Sequence, residues 1–263
     1  MFDNLKGKTA VITGSTSGIG LHFAEGLAAQ GCNVMLNGFG DKDEIEANRS
    51  RIAETHGVKV HYNGADMTKP AEIRSLIEET KSIFGRLDIL VNNAGIQKVA
   101  PVEEFPDDKW DAIIAINMSS AFHTIKHAVP IMRENGWGRI INLASAHGLR
   151  ASPFKAAYVT AKHGMIGLTK VVGLEVAEDN ITCNAICPGY VKTPLVDGQI
   201  ADTAKARNMS EEEVKKQVIL ERQPTKEFVT YEQLNAMLLF LCSDAGASCN
   251  ATAYSVDGGW TAM

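Results

Sequence analysis

The first thirty residues constrain the fold more than any other stretch. An apolar run, Thr9 to Thr13, breaks at Gly14-Ser15-Thr16-Ser17-Gly18-Ile19-Gly20, and helical spacing follows to Gln30, closed by Gly31. Strand, tight glycine turn and helix in direct succession commit the chain to laying a helix back across a sheet. Glycine lets the backbone turn sharply and come close to a bound group. The helix start offers free N–H groups and a partial positive charge, which together suit a pyrophosphate. The spacing is GxxxGxG, not GxGxxG, so the flanking strand and helix carry the weight of the reading.

The same alternation runs to the end of the chain. Strands are expected at Asn33 to Asn37, Val58 to Tyr62, Leu87 to Val91, Arg139 to Leu143, Ile181 to Ile186 and Ala253 to Val256. Helices are expected at Asp41 to His56, Pro70 to Phe84, Asp107 to about Met132, Pro153 to Ala177 and Tyr231 to Cys242. Alternating strands and helices mean parallel strands with right-handed crossovers. Near-continuous apolar strands mean a sheet covered on both faces. The expectation is an α/β fold: a doubly wound parallel sheet of about seven strands in one domain, 1–263. Residues 191–229 are polar and interrupt the pattern. They read as a helical lid over a site, or as a surface excursion.

Composition excludes several classes. Acidic residues number 31 against 26 basic, a net charge of −5, which argues against a nucleic-acid partner. No apolar run approaches the ~18 residues that span a bilayer. Met1 to Lys8 has no apolar signal core, and the five cysteines form no recognised metal or redox spacing. Free thiols in a cytoplasmic protein are the expectation. His123 and His127 are four apart but lack the glutamate of a zinc hydrolase, so no metal is expected.

The second strand ends Asn37-Gly38-Phe39-Gly40. An acid usually stands there to hold an adenosine 2′-hydroxyl, and a 2′-phosphate would want a cation. Neither is present, which favours NAD over NADP, with Phe39 placed to flank the adenosine. Further on, Tyr158 and Lys162 sit at i and i+4, on one helix face. Tyrosine titrates near 10, and a neighbouring cation favours its phenolate. Ser145 lies at the carboxyl end of a strand, where ligands of open α/β sheets bind. Asn117 is a polar residue on an apolar helix stripe with Trp110, Ile113, Ile114 and Ala121.

Thr13-Gly-x3-Gly-Ile-Gly20, Asn92-Asn-Ala-Gly95, Asn117, Ser145, Tyr158-x3-Lys162 and Pro188-Gly189 together resemble the short-chain dehydrogenase/reductase family, in order and over nearly the whole chain. The resemblance implies a Rossmann-type sheet and a homotetramer. It implies Tyr158 as general acid/base, Ser145 on the substrate oxygen, Lys162 on the nicotinamide ribose and Asn117 anchoring a water. It places Gly14, Thr16, Ser17, Gly18, Ile19 and Gly20 at the cofactor. Asp66 and Met67 fall near adenine, Asn93 and Gly95 beside the adenosine ribose, and Gly189, Val191 and Thr193 near the nicotinamide amide. Ala94 and Pro188 fall at the cofactor with them.

The substrate must be read from the loops. Gln97, His147, Lys155, Gln199 and Trp260 stand close in sequence to the catalytic positions. Lysine supplies charge and its neighbours supply donors, which suits a carboxylate. Segments Asn37 to Gly40, Asn93 to Gln97, Ala144 to Gly148, Lys192 to Val196 and Ser255 to Ala262 resemble those family members that act on a small anionic 3-hydroxy acid. That likeness implies Gln97, His147, Lys155 and Trp260 at the carboxylate, with Gln199 closing from the lid. Tyr190 departs from it, standing where tryptophan is expected. The rival readings are a 3-oxoacyl-carrier-protein reductase and a non-catalytic NAD-sensing protein.

Overall fold

The computed structural model describes residues 3–263 except 194, 195, 197–199, 201–203 and 205–207. Seven strands form one sheet in the order β3-β2-β1-β4-β5-β6-β7. They are β1 (Thr9–Ile12), β2 (Asn33–Asn37), β3 (Val60–Asn63), β4 (Ile89–Asn92), β5 (Gly138–Leu143), β6 (Ile181–Pro188) and β7 (Ala253–Val256). Every pairing is parallel, with Val11 opposite Met35 and Leu90, and Ile141 opposite Val91 and Asn184. The expected doubly wound sheet is therefore present.

Among the described residues the α-helices with complete ranges are α1 (Gly18–Ala29), α2 (Lys42–His56), α3 (Pro70–Phe84), α4 (Asp107–Ile114), α5 (Ser120–Asn135), α6 (Ala156–Glu175), α7 (Glu211–Val214) and α8 (Tyr231–Cys242). Alternation along each strand feeds two cores. Ile12, Leu36, Val91 and Ile141 pack with Phe23 and Leu27 of α1 and Leu234 and Leu238 of α8. Val11, Met35, Leu90 and Ile140 face the other way, onto Ile73 of α3, Met132 of α5 and Val172 of α6. Asp41 opens α2 by accepting hydrogen bonds from the N–H groups of Asp43 and Glu44.

Several expected boundaries differ: β3 and β4 start two residues later than expected, β6 runs two residues further, and two helices change. The single helix from Asp107 is two helices, joined by a π turn at Ala115–Ser119. Within α4 Trp110 is exposed and Ile113 fully buried, and Asn117, inside the π turn, is fully buried. The helix expected from Pro153 begins at Ala156, because Phe154 takes φ +67° in the preceding turn. All five cysteines are free thiols. Among the described residues no helix is long and apolar enough to cross a membrane, and no cluster of metal-ligating side chains occurs.

Candidate active site

The sheet order reverses between β1 and β4, and a cavity of about 500 Å³ opens at the carboxyl ends of the strands there. Its first wall is the glycine turn. Gly14 has φ +63°, and a Cβ there would lie 2.9 Å from the Ala94 Cα. Asn93 fastens the two loops, donating to the carbonyls of Thr13 at 2.8 Å and Gly14 at 2.7 Å. Thr13 Oγ1 returns the tie, accepting from the N–H groups of Asn93 and Ala94 at 3.0 Å each. Ser17 caps α1 by position but makes no side-chain capping bond. The first amides of α1 are thus left to whatever fills the cavity beside Ser17, Ile19 and Gly20.

Asn37 explains the missing acid at the end of β2. Its side chain is buried and points inward, donating to the carbonyls of Asn63 at 3.1 Å and Ala65 at 3.0 Å. Its Oδ1 accepts from the Gly14 N–H at 3.4 Å. The residue therefore braces the glycine turn. Thr16 Oγ1 donates to the Phe39 carbonyl at 2.8 Å, and this leaves the Phe39 ring 67% exposed at the cavity edge.

The second wall carries the reactive groups. A buried relay of amides and hydroxyls ties β4, β5, α5 and α6 together beneath it. Asn92 donates to Asn142 at 2.8 Å, Asn142 to Thr169 at 2.9 Å, and Thr124 to Asn92 at 2.6 Å. Ser145 follows β5, and its Oγ accepts from the His147 N–H at 3.2 Å. Tyr158, on the first turn of α6, lines the cavity and is hydrogen-bonded to Ser145. One turn on, Lys162 is buried and donates to the Leu143 carbonyl at 2.6 Å, with its ammonium 5.6 Å from the Tyr158 ring centre.

The electrostatics refine the expectation for Tyr158. Burial pushes its phenol above the ordinary value, and the hydrogen bond with Ser145 pulls it back. Burial also lowers the Lys162 ammonium to about 8. Lys162 does not by itself bring the phenol down to neutral pH. A low-polarity pocket penalises both charged forms, so a phenolate there needs further positive charge.

The third wall is aromatic and cationic. His147 is buried, with Nε2 3.0 Å from Ser152 Oγ and Nδ1 3.5 Å from Ser145 Oγ. Burial, then Lys155, push it down to about 3, so it is a neutral imidazole at physiological pH. Its ring meets Tyr158 and Trp260 edge-on, and Tyr190 stacks on Trp260 at 5.4 Å and 12°. Asp257 shapes the turn that delivers Trp260, accepting from the N–H groups of Gly259 at 3.0 Å and Thr261 at 2.9 Å. Lys155 is half-buried, and its ammonium lies 3.5 Å from Tyr190 Oη. Burial and then Arg222 lower its pKa.

Most residues singled out in the sequence meet at this cavity. Gly14, Thr16, Ser17, Ile19, Gly20, Phe39, Asn93, Ala94 and Gly95 line one side, and Ser145, Tyr158, Lys162, Pro188, Gly189, Val191 and Thr193 the other. Gln97, His147, Lys155 and Trp260 line its far end. Gly18, Asp66, Met67 and Asn117 are not wall residues. Gly18 serves the turn with φ +55°. The Asp66 carboxylate accepts from the N–H and hydroxyl of Thr68, at 2.9 and 2.8 Å, and Met67 packs in a core. Asn117 spends both amide atoms on Ile96, accepting from its N–H and donating to its carbonyl at 2.9 Å each. It thereby fixes the loop that carries Gln97. Gln199 lies outside the described residues.

Gln223 carried no signal in the sequence. It is buried, its Oε1 accepts from the Tyr190 N–H at 3.1 Å, and its amide donates to the Glu227 carbonyl. Only the fold brings residues 33 positions apart together this way. Ile96, Leu143 and Val196 also line the cavity, and as apolar residues they offered nothing to single out.

Residues 14–261 match the family described as enoyl-(acyl carrier protein) reductase. The chain is 56% identical to the D-beta-hydroxybutyrate dehydrogenase of Rhizobium meliloti, covering 97% of this chain and 99% of the relative. It is 52% identical to the enzyme of the same name from Cupriavidus necator, over 98% and 100%. L-sorbose reductase of Gluconobacter frateurii, solved with NADPH and L-sorbose, superposes with a TM-score of 0.93 at 33% identity, over 99% of this chain and 98% of that one. The matched span, the glycine turn and the grouping of Ser145, Tyr158 and Lys162 agree: the chain belongs to the short-chain dehydrogenase/reductase family of oxidoreductases.

Proposed function

We propose that the protein is an NAD-dependent dehydrogenase that interconverts D-3-hydroxybutyrate and acetoacetate. One observation carries the substrate class: Lys155, a half-buried cation with no carboxylate partner among the described residues, shares a cavity with Ser145 and Tyr158. A cation held that way is a receptor for an anion. The two relatives named above for D-beta-hydroxybutyrate support the particular acid.

The cavity fits a dinucleotide. The amides of α1 left without a cap suit its pyrophosphate, Lys162 its nicotinamide ribose, and Pro188, Gly189, Val191 and Thr193 its amide. No cation stands in the turn after β2, which favours NAD. When bound, oxidised NAD supplies the hydride acceptor and a positive charge beside the phenol.

The residues of the chain do the rest. Tyr158 removes the proton from the 3-hydroxyl, or returns it in the reverse direction. Ser145 hydrogen-bonds the same oxygen as its charge develops. Lys162 favours the phenolate through its positive charge. Lys155 supplies the charge for the carboxylate, and neutral His147, Gln97, Trp260 and Gln199 complete its surroundings. Asn117 holds the Gln97 loop in register, the role its two bonds to Ile96 support. A water held by Asn117 in the proton relay, and Asp66 and Met67 near adenine, belong to this reading through the family resemblance.

The reading includes one domain with residues 191–229 as a lid. Val196, Ile200, Val214, Ile219 and Leu220 form a small core of their own beside Tyr190, which supports a unit that moves together. It also includes a homotetramer in the cytoplasm. Exposed Phe122, Val171 and Leu174 support the assembly, and five free thiols the compartment.

The test is an absorbance assay for reduced nicotinamide. D-3-Hydroxybutyrate with NAD should react, while the L isomer or NADP should give little rate. No rate with the D isomer would overturn the substrate.

A further inference from the structure

Tyr190 is the residue at which this chain departs from its expected pattern, and the structure gives its ring a defined place. The backbone is pinned on both sides: its N–H donates to Gln223 at 3.1 Å and its carbonyl accepts from Val229 at 2.9 Å. The ring is pinned by stacking on Trp260. The hydroxyl therefore has little freedom, and it stands 3.5 Å from the Lys155 ammonium, at the outer edge of hydrogen-bond range. Both groups line the cavity.

An ammonium only donates, so the phenol oxygen accepts in this contact. Its own O–H is then left to donate elsewhere. Among the described residues it meets no acceptor, and it lines the cavity.

We infer that Tyr190 is a direct carboxylate ligand, donating its O–H to the same substrate carboxylate that Lys155 attracts while its oxygen holds the Lys155 ammonium in place. The inference rests on the 3-hydroxy acid reading and deepens it. It assigns specificity to a hydroxyl that tryptophan at this position would lack. Charge alone would accept an anion at several angles. An ammonium and a hydroxyl in fixed relation select the two oxygens of one carboxylate and turn the far end of the molecule toward Tyr158.

Tyr190→Phe keeps the ring and its stack but deletes the hydroxyl. KM for D-3-hydroxybutyrate should rise roughly tenfold, with kcat within about twofold of wild type. Calorimetry with butyrate, in the presence of NADH, should show the same weakening, and butyramide affinity should not change. Because the hydroxyl and Lys155 act as a pair, the double variant with Lys155→Ala should bind butyrate within about twofold of Lys155→Ala alone. Unchanged butyrate affinity in Tyr190→Phe would overturn the inference. So would equal losses for butyrate and butyramide, which mark a packing effect, or simple additivity in the double variant. If the wild type binds butyrate but does not oxidise D-3-hydroxybutyrate, the substrate reading fails, and the butyrate series still decides on Tyr190.

Discussion

The two ends of the sheet handle buried charge in opposite ways. At the amino ends of the strands, Asp88 is fully buried and surrounded by donors. Its carboxylate accepts from the Thr9 N–H at 2.8 Å and twice from Arg86 at 2.7 Å, and Lys8 lies 3.8 Å away. Trp137 carries the ammonium of Lys8 at 4.1 Å from its ring and the guanidinium of Arg139 at 4.3 Å. Arg139 also donates to the carbonyls of Gly138 at 2.7 Å and Asn180 at 3.1 Å. At the carboxyl ends, Lys162 has a carbonyl and Lys155 a phenol, and among the described residues neither meets a carboxylate. One end supplies its own anion in Asp88, which stabilises the fold, although Arg139 beside it meets only carbonyls and the Trp137 ring and its buried Nε has no partner among the described residues. The other leaves cations short of anions, which suits a place where ligands come and go.

Substitutions can break this contrast from either side. Removing the acid–base group should have the largest effect: Tyr158→Phe should lower kcat by about 10²- to 10⁴-fold in steady-state assays while NADH still binds by calorimetry. Retention of more than a tenth of the rate would move the proton-transfer role elsewhere. At the opposite end, Asp88→Ala removes the buried carboxylate that holds the Thr9 N–H and the half-buried Arg86 and Lys8, and should cost about 1–3 kcal/mol of unfolding free energy in urea. The folded fraction should keep its KM, since nothing at that end touches the cavity. Lys155→Ala should raise KM for the hydroxy acid by about 10- to 100-fold with a small change in kcat. An unchanged KM would remove the carboxylate role.

His147 makes the contrast visible in pH. Its folded value is lowered from 6.5 to about 3 by burial, so the unfolded chain binds the extra proton between those limits. Its contribution to stability is complete above pH 6.5 and is lost as pH falls toward 3, at about 1.4 kcal/mol per pH unit. His147→Gln should flatten that part of a urea-unfolding series against pH. The smallest effect is expected at Arg222, an exposed cation that lowers the Lys155 and His147 values from outside the pocket. Arg222→Gln should raise KM about twofold at low salt, and the difference should vanish at about 0.5 M salt.

Much of this was legible in the residues because periodicity and local spacing encode it. β2, α8 and β7 begin and end where apolar runs and caps predicted, and the Tyr158–Lys162 face survives as one turn of α6. The illegible parts depend on contacts distant in the chain. Asn37 looked like an absent ribose ligand, and its role as a brace is set by carbonyls 26 and 28 residues away. The direction of the Tyr158 shift could not be read from Lys162 at i+4, because desolvation by the whole pocket outweighs one neighbour. The break between α4 and α5 left no mark such as glycine or proline within Ala115–Ser119.

That break has a geometric consequence. A π turn adds one residue to a helical path, and each residue advances an α-helix by about 100°. The turn at Ala115–Ser119 is thus a phase shifter between two helices with different surfaces to cover. α4 presents Ile113 to Ala157 and Ala161 of α6, whereas α5 presents Ile125 and Met132 to the sheet. Deleting one residue within 115–119 would restore an unbroken helix and bring the two stripes into the same phase. α5 would then rotate its core face out of the molecule, or α4 would leave α6. Either outcome would release Asn117 from Ile96, so one residue of helical phase stands between the packing of α5 and the position of the Gln97 loop.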